Sequence, residues 1–211
     1  MGRINTHLAH DMRTPLQLIY SCAQMIQAEI KDPCNPASRH VDMLMENVQC
    51  LKDMIADELE NACSCTDIVR LAGKLCRRMD INAAAKGITL LFSSNIAEFR
   101  IETDPAKLSR ILQNLVSNAL RFTPEGGTVR IDLRTMNDSV EICVSDTGPG
   151  IDPQRSKSIL NHTDSQGGYG MGLVIARRFA RQMGGYISVR SSPGKGAAFT
   201  LRIPLCDSIV Q

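Results

Sequence analysis

The stretch "SDTGPGI" (residues 145–151) closes an alternating run, "SVEICVSD" (139–146), and ends in two glycines. The alternation predicts a half-buried strand, which places Asp146 at its C-terminal end. Gly148 and Gly150 then let the backbone turn sharply and come close to a flat ligand, while the Asp146 carboxylate can accept a hydrogen bond from an amino group. The same residues also suit a plain strand-to-loop turn, since Asp and Gly are common there. Its neighbours on either side decide between the two.

Upstream, "TVRIDLRT" (128–135) alternates in the same way and joins 139–146 through the turn "MND". Before it, "DPAKLSRILQNLVSNALRF" (104–122) reads as a helix with Asp104 as N-cap and Pro105 at the first helical position. Asn114 and Asn118 are four residues apart and share one face of that helix. A neutral amide oxygen suits Mg²⁺, which takes few protein ligands and keeps water and phosphate oxygens. Further back, a helix is expected from Asp67 to about Lys86, then strands at "ITLLFSS" (88–94) and "FRIET" (99–103).

Downstream, "GGYGMGLVIARRFA" (167–180) sets Gly168, Gly170 and Gly172 just before a helix expected from about Met171 to Met183. Backbone N–H groups at such an N-terminus can bind phosphate. No βαβ unit surrounds these glycines, so they are not a dinucleotide-binding fingerprint. Strands "YISVRSS" and "AAFTLRIPL" end the chain. The glycine turn in "SSPGKGAAFTL" (191–201) between them reads as structural. Strands and helices mixed in this order predict a sheet with helices on one face, an α/β sandwich.

The first sixty residues follow a different rule. Ile4, Leu8, Met12, Leu16, Ile19, Ala23, Ile26 and Ile30 recur at steps of three and four, one apolar stripe along ~40 Å of helix. "KDPCNPAS" (31–38) stops that helix with two prolines. A second stripe runs Val41, Leu44, Val48, Leu51, Ile55, Leu59. A hairpin of two such helices covers each stripe only in part, and two hairpins make a four-helix bundle, so a homodimer is expected.

Within the first helix lies "AHDMRTPLQLI" (9–19). His10 stands two residues from both Leu8 and Met12, ~200° round the helix from each, and is expected to face water. His7 lies ~60° from Ile4, on the flank of the stripe. Thr14 shares the face of His10, and Asp11 is adjacent. A carboxylate beside an imidazole can hold one ring N–H and leave the other nitrogen as nucleophile. Pro15 takes the helical partner from the carbonyl of Asp11, so a kink is expected just past the histidine.

Here a resemblance becomes specific. "HDMRTPL" resembles the H-box of sensor histidine kinases, usually H-E-x-R-T-P-L, with Asp in place of Glu. The segments "NLVSNA", "SDTGPGI", "GGYGMG" and "SSPGKG" resemble, in order, the N, G1, G2 and terminal glycine boxes of the GHKL (Bergerat) ATPase fold. The resemblance implies an α+β chain in two domains. Residues 1–62 would be a dimerisation and phosphotransfer hairpin, and 67–211 a GHKL-type ATP-binding domain. It implies that His10 accepts the γ-phosphoryl group of ATP and that Asp11 acts as general base. Thr14 would position water for dephosphorylation of a partner. Asp146 would read the adenine amino group. Asn118, with Asn114 nearby, would carry Mg²⁺. Gly148 and Gly150 would shape the adenine site. Gly168, Gly170 and Gly172 would frame the phosphates, and Arg121 would keep the positive charge that many members supply with Lys. The implied final acceptor is a response-regulator aspartate.

One departure stands out. Only 16 residues separate Ile151 from Gly168, and none is Phe, where the family usually has a longer lid with a phenylalanine. The alternative reading is therefore a weakly active or inactive dimeric scaffold, or a phosphatase acting through Thr14.

Composition agrees with a soluble globular chain, 43% hydrophobic and 22% charged. A net charge of +2 from 24 basic and 22 acidic residues argues against a nucleic-acid partner. Eight irregularly spaced cysteines fit free thiols of a reducing cytosol; only Cys63 and Cys65 are close, and no zinc pattern completes them. No apolar run is long enough to span a bilayer. The expected place is cytoplasmic, as the C-terminal part of something longer that is open to membrane anchoring elsewhere.

Overall fold

The computed structural model describes residues 6–29, 37, 41, 44–45, 48, 63–153 and 170–205, with side chains of the first helix described from Leu16 to Ala28. The chain divides into two compact units. One holds the N-terminal residues to Asn61 together with Gly170–Ile175, and the other holds Ala62–Tyr169 and Ala176–Gln211.

In the first unit, α1 runs Thr6–Glu29. Leu16 and Val48 form a buried cluster with Tyr20 packed against it, one contact between a residue of the first stripe and one of the second. The stripe is split, however. Leu16 and Ala23 are buried, whereas Ile19 and Ile26, three residues further on in each case, are 44% and 47% exposed beside open Leu18 and Met25.

The second unit begins with β1 (Ser64–Asp67), which pairs antiparallel with β3 (Arg100–Thr103) as a small separate sheet. Most of this strand falls in the gap 63–66 between the two expected domains, because Ser64, Cys65 and Thr66 carry no apolar alternation. Asp67 then caps α2 (Ile68–Ala85), its Oδ1 accepting from the N–H groups of Val69 and Arg70 at 3.1 Å each. The main sheet has the order β2-β4-β5-β7-β6, with β2 at Thr89–Ser94, β4 at Thr128–Thr135, β5 at Ser139–Asp146, β6 at Tyr186–Ser191 and β7 at Ala197–Pro204. β2 runs parallel to β4; the other pairs are antiparallel.

One face of this sheet is apolar. Val129, Ile131 and Leu133, then Val140, Ile142 and Val144, then Phe199, Leu201 and Ile203 are all buried, and the residues between them are polar and face outward. α2 packs on β2, and α3 (Pro105–Phe122) packs on β4, β5 and α2. Leu108, Ile111, Leu112, Leu115, Val116 and Ala119 of α3 are at most 5% exposed, and each larger one contributes about 1.5–3 kcal/mol by burial. The helix stops where Thr123 returns its N–H and its hydroxyl to the Ala119 carbonyl, ahead of Pro124.

The start of α3 is held by a buried ion. Asp104 Oδ1 accepts from the N–H groups of Ala106 (3.0 Å) and Lys107 (3.1 Å), and Oδ2 faces Lys107 Nζ at 3.6 Å, both side chains being 9% exposed. Asp104→Ala is expected to lower unfolding free energy by about 3 kcal/mol in urea denaturation, since it removes a cap and the carboxylate facing a buried ammonium. Asp104→Asn, which can keep the cap, should lose less.

Candidate functional site

β5, the central strand, carries Asp146 at its C-terminal end, opposite Val129 of β4. There the chain leaves the sheet, and Thr147 ties the exit to β4: its N–H donates to the Thr128 carbonyl (3.1 Å) and its Oγ1 accepts from the Thr128 N–H (2.9 Å). Asp146 Oδ1 accepts from the N–H groups of Gly148 (2.9 Å) and Ala197 (3.3 Å). Those two bonds fix the plane of the carboxylate. No hydrogen bond to Oδ2 is formed among the described residues, so one strong acceptor remains for a donor from outside.

The glycines of "SDTGPGI" are where the sequence reading places them, and contact explains them. A Cβ at Gly148 would lie 2.8 Å from the Phe122 carbonyl oxygen at the end of α3 and 2.8 Å from Asp146 Oδ1. Gly150 has φ +73°, and a Cβ there would overlap the Ser192 carbonyl oxygen. The loop 147–151 is thus wedged between α3 and the 192–196 turn.

Asn114, Asn118 and Arg121 follow one another at steps of four and three along α3, on one stripe. Asn118 is 8% exposed. The Asn114 side-chain nitrogen is buried and has no hydrogen-bond partner, an uncommon and costly condition that an anionic oxygen would relieve. The Arg121 guanidinium lies 4.7 Å from the centroid of the Phe122 ring. Because Gly148 abuts Phe122, the structure brings the Asp146 loop and the end of this stripe together. An acceptor at one end, and amides and a cation along α3, fit a purine nucleotide. In such a complex Asn118 would hold Mg²⁺ through its side-chain oxygen, and the metal would neutralise phosphate charge.

Gly170 and Gly172 lie in the first turn of α4 (Gly170–Gln182), inside the helix rather than ahead of it. Gly168 and the short lid segment lie outside the described residues. His10, Asp11 and Thr14 lie within α1, their side chains outside the described set.

Partial burial pushes the Asp146 carboxyl above its ordinary value of 3.8, and the N–H groups of Gly148 and Ala197 pull it part of the way back. The folded chain therefore holds this proton more tightly than the unfolded chain, and the stability so gained is lost as pH rises through the raised value. A donor from a ligand needs the ionised form. ADP affinity measured by calorimetry is expected to be level near neutrality and to fall on acidification, at a higher pH than an unperturbed aspartate would give.

Two features escaped the sequence reading. Thr147 reads as filler within "DTG". Ser191 reads as the end of the strand "YISVRSS" and Gly196 as a turn residue, although both reach the Asp146 loop; the recurrence of glycine at 194 and 196 is the only signal they give.

Residues 103–207 match the family of histidine kinase-, DNA gyrase B- and HSP90-like ATPases, and that part of the chain belongs to it. Over 96% of its length the chain is 31% identical to the adaptive-response sensory kinase SasA of Synechococcus sp. (strain JA-2-3B'a(2-13)), covering 59% of that protein. Full-length ShkA in complex with AMPPNP superposes with a TM-score of 0.70 at 27% identity, over 97% of this chain and 46% of that one. Histidine kinase ThkA in complex with the response regulator protein TrrA shares the fold, with a TM-score of 0.64 at 21% identity over 95% of this chain and 60% of that one. Over nearly its whole length the chain is similar to sensor histidine kinases. It spans about half the length of the curated relatives it matches.

Proposed function

We propose that this chain is the core of a two-component sensor kinase that phosphorylates its own His10 from ATP and passes the group to a response-regulator aspartate. The observation that carries the reading is Asp146: a half-buried carboxylate, aimed by two backbone donors, with one oxygen left for the adenine amino group. Asn114, Asn118 and Arg121 continue the site toward the phosphates, with Mg²⁺ on Asn118. Gly168, Gly170 and Gly172 are assigned to the phosphate end.

In the transfer step an imidazole nitrogen of His10 attacks the γ-phosphorus. The bond from that phosphorus to the β,γ-bridging oxygen breaks, ADP leaves with the electron pair, and Asp11 takes the imidazole proton. Catalysis is mainly positioning and charge neutralisation. Thr14, one turn on, is assigned to positioning water when the regulator is dephosphorylated.

The domain division proposed is 1–62 for the phosphotransfer hairpin and 67–211 for the nucleotide domain. Homodimerisation is supported by the open apolar side of α1, where Leu18 and Met25 are 63% and 65% exposed. No described helix is long and apolar enough to cross a membrane, in keeping with a cytosolic part of a sensor.

Incubation of the purified chain with γ-labelled ATP tests the reading. Wild type is expected to gain acid-labile, base-stable label and His10→Ala none. ADP binding without any label would favour the scaffold alternative instead. Label that survives in His10→Ala and vanishes in His7→Ala would overturn the helical-face argument.

A further inference from the structure

The turn 192–196 touches the Asp146 loop at several points. The Gly194 N–H donates to the Pro149 carbonyl at 2.7 Å, and the Lys195 N–H closes the turn on the Ser192 carbonyl at 3.0 Å. Gly196 has φ +74°, and a Cβ on it would overlap the Asp146 carbonyl oxygen. Each loop therefore has a glycine seated on the backbone of the other. A single side chain bonds to both. Ser191 Oγ accepts from the Ile151 N–H at 2.8 Å and donates to the Gly196 carbonyl at 2.6 Å.

The Gly196 carbonyl and the Ala197 N–H belong to one planar trans peptide unit and point in opposite directions. Ser191 holds the carbonyl side, and the N–H side points at Asp146 Oδ1. We infer that Ser191 is a positioning residue: its hydroxyl aims the Gly196–Ala197 peptide at Asp146 and so sets the orientation of the adenine-reading carboxylate. The inference rests on the nucleotide-site reading above. Ser191 need not touch the nucleotide. Without its hydroxyl the turn still closes through Gly194 and Lys195, and Ala197 stays paired with Ser191 in the ladder, but the Gly196 carbonyl loses the donor that aims it, and the Ala197 N–H, already long at 3.3 Å, turns away from Oδ1. The carboxylate can then swing, and Oδ2 no longer stands where an amino group would meet it.

The isosteric pair Ser191→Thr and Ser191→Val in the full chain separates aim from shape, because the two differ only in keeping or losing the hydroxyl. ADP and GDP are the probes, since GDP offers a carbonyl where ADP offers the amino group. Ser191→Thr is expected to keep ADP affinity within about twofold of wild type. Ser191→Val is expected to bind ADP about tenfold more weakly, the scale of one hydrogen bond to a charged group. GDP binding should be nearly unchanged, so the preference for ADP over GDP falls by the same factor. The acid limb of ADP binding should also move to higher pH in Ser191→Val, because an N–H that favours the ionised carboxylate is lost. A merely structural serine would alter neither base preference nor pH profile. Ser191→Ala carries the same expectation should the valine variant fail to fold. Equal ADP over GDP preference in the valine and threonine variants, with wild type binding ADP normally, overturns the role of Ser191 alone. Wild type that does not bind ADP overturns the nucleotide-site reading itself.

Discussion

Asp146→Asn is expected to fold like wild type and to bind ADP about 100-fold more weakly. The amide can keep its carbonyl oxygen on the N–H groups of Gly148 and Ala197, which fix the present Oδ1. Its nitrogen then replaces Oδ2 and faces the adenine amino group donor to donor. One charge-assisted hydrogen bond is lost and two donors are left unpaired in a half-buried site, together about 2.7 kcal/mol. Thermal unfolding should change little, because Oδ2 makes no hydrogen bond among the described residues of the free protein. Calorimetry of ADP with both proteins checks the first statement and a melting curve the second. Unchanged ADP affinity in the variant would mean that the purine sits elsewhere.

Gly196→Ala should be strongly damaging, lowering unfolding free energy by at least about 4 kcal/mol. The added methyl meets backbone, the Asp146 carbonyl at the end of β5, and its next nearest atoms are also backbone. A flexible side chain could move aside; the last pair of a sheet ladder cannot do so cheaply. The positive φ adds a conformational penalty of about 1 kcal/mol for any residue with a Cβ. Urea denaturation measures the loss. Gly194→Ala is the control: its φ is also positive, but nothing lies within 4 Å of the added carbon, so it should show only the conformational part.

Much of this architecture is legible before any coordinates. The alternations in "TVRIDLRT" and "SVEICVSD" give β4 and β5 to the residue, because one face of the sheet is covered and the other is not. Asp104 and Pro105 give the start of α3 in the same way, since cap chemistry is local. What stays hidden is set by partners distant in the chain. β1 shows no apolar alternation, and its only reason to extend is the backbone of β3. The split stripe of α1 depends on what covers Ile19 and Ile26, and the chain alone does not cover them. Asp146 itself is readable from its place after a strand. The aim of its carboxylate is not, because one donor comes from Ala197, fifty-one residues later, oriented by a serine that reads as an ordinary strand-end residue.

The central claim is that ATP bound through Asp146 phosphorylates His10. The most direct measurement is fragment-ion mass spectrometry of the chain after incubation with ATP and Mg²⁺, kept at neutral to basic pH. Trypsin releases Ile4–Arg13, which contains both His7 and His10. The account predicts one added phosphoryl group, placed by the fragments on His10, and a far lower yield when the preparation carries Asp146→Asn. A phosphoryl group on His7, or an equal yield on His10 in the Asp146→Asn chain, would contradict it.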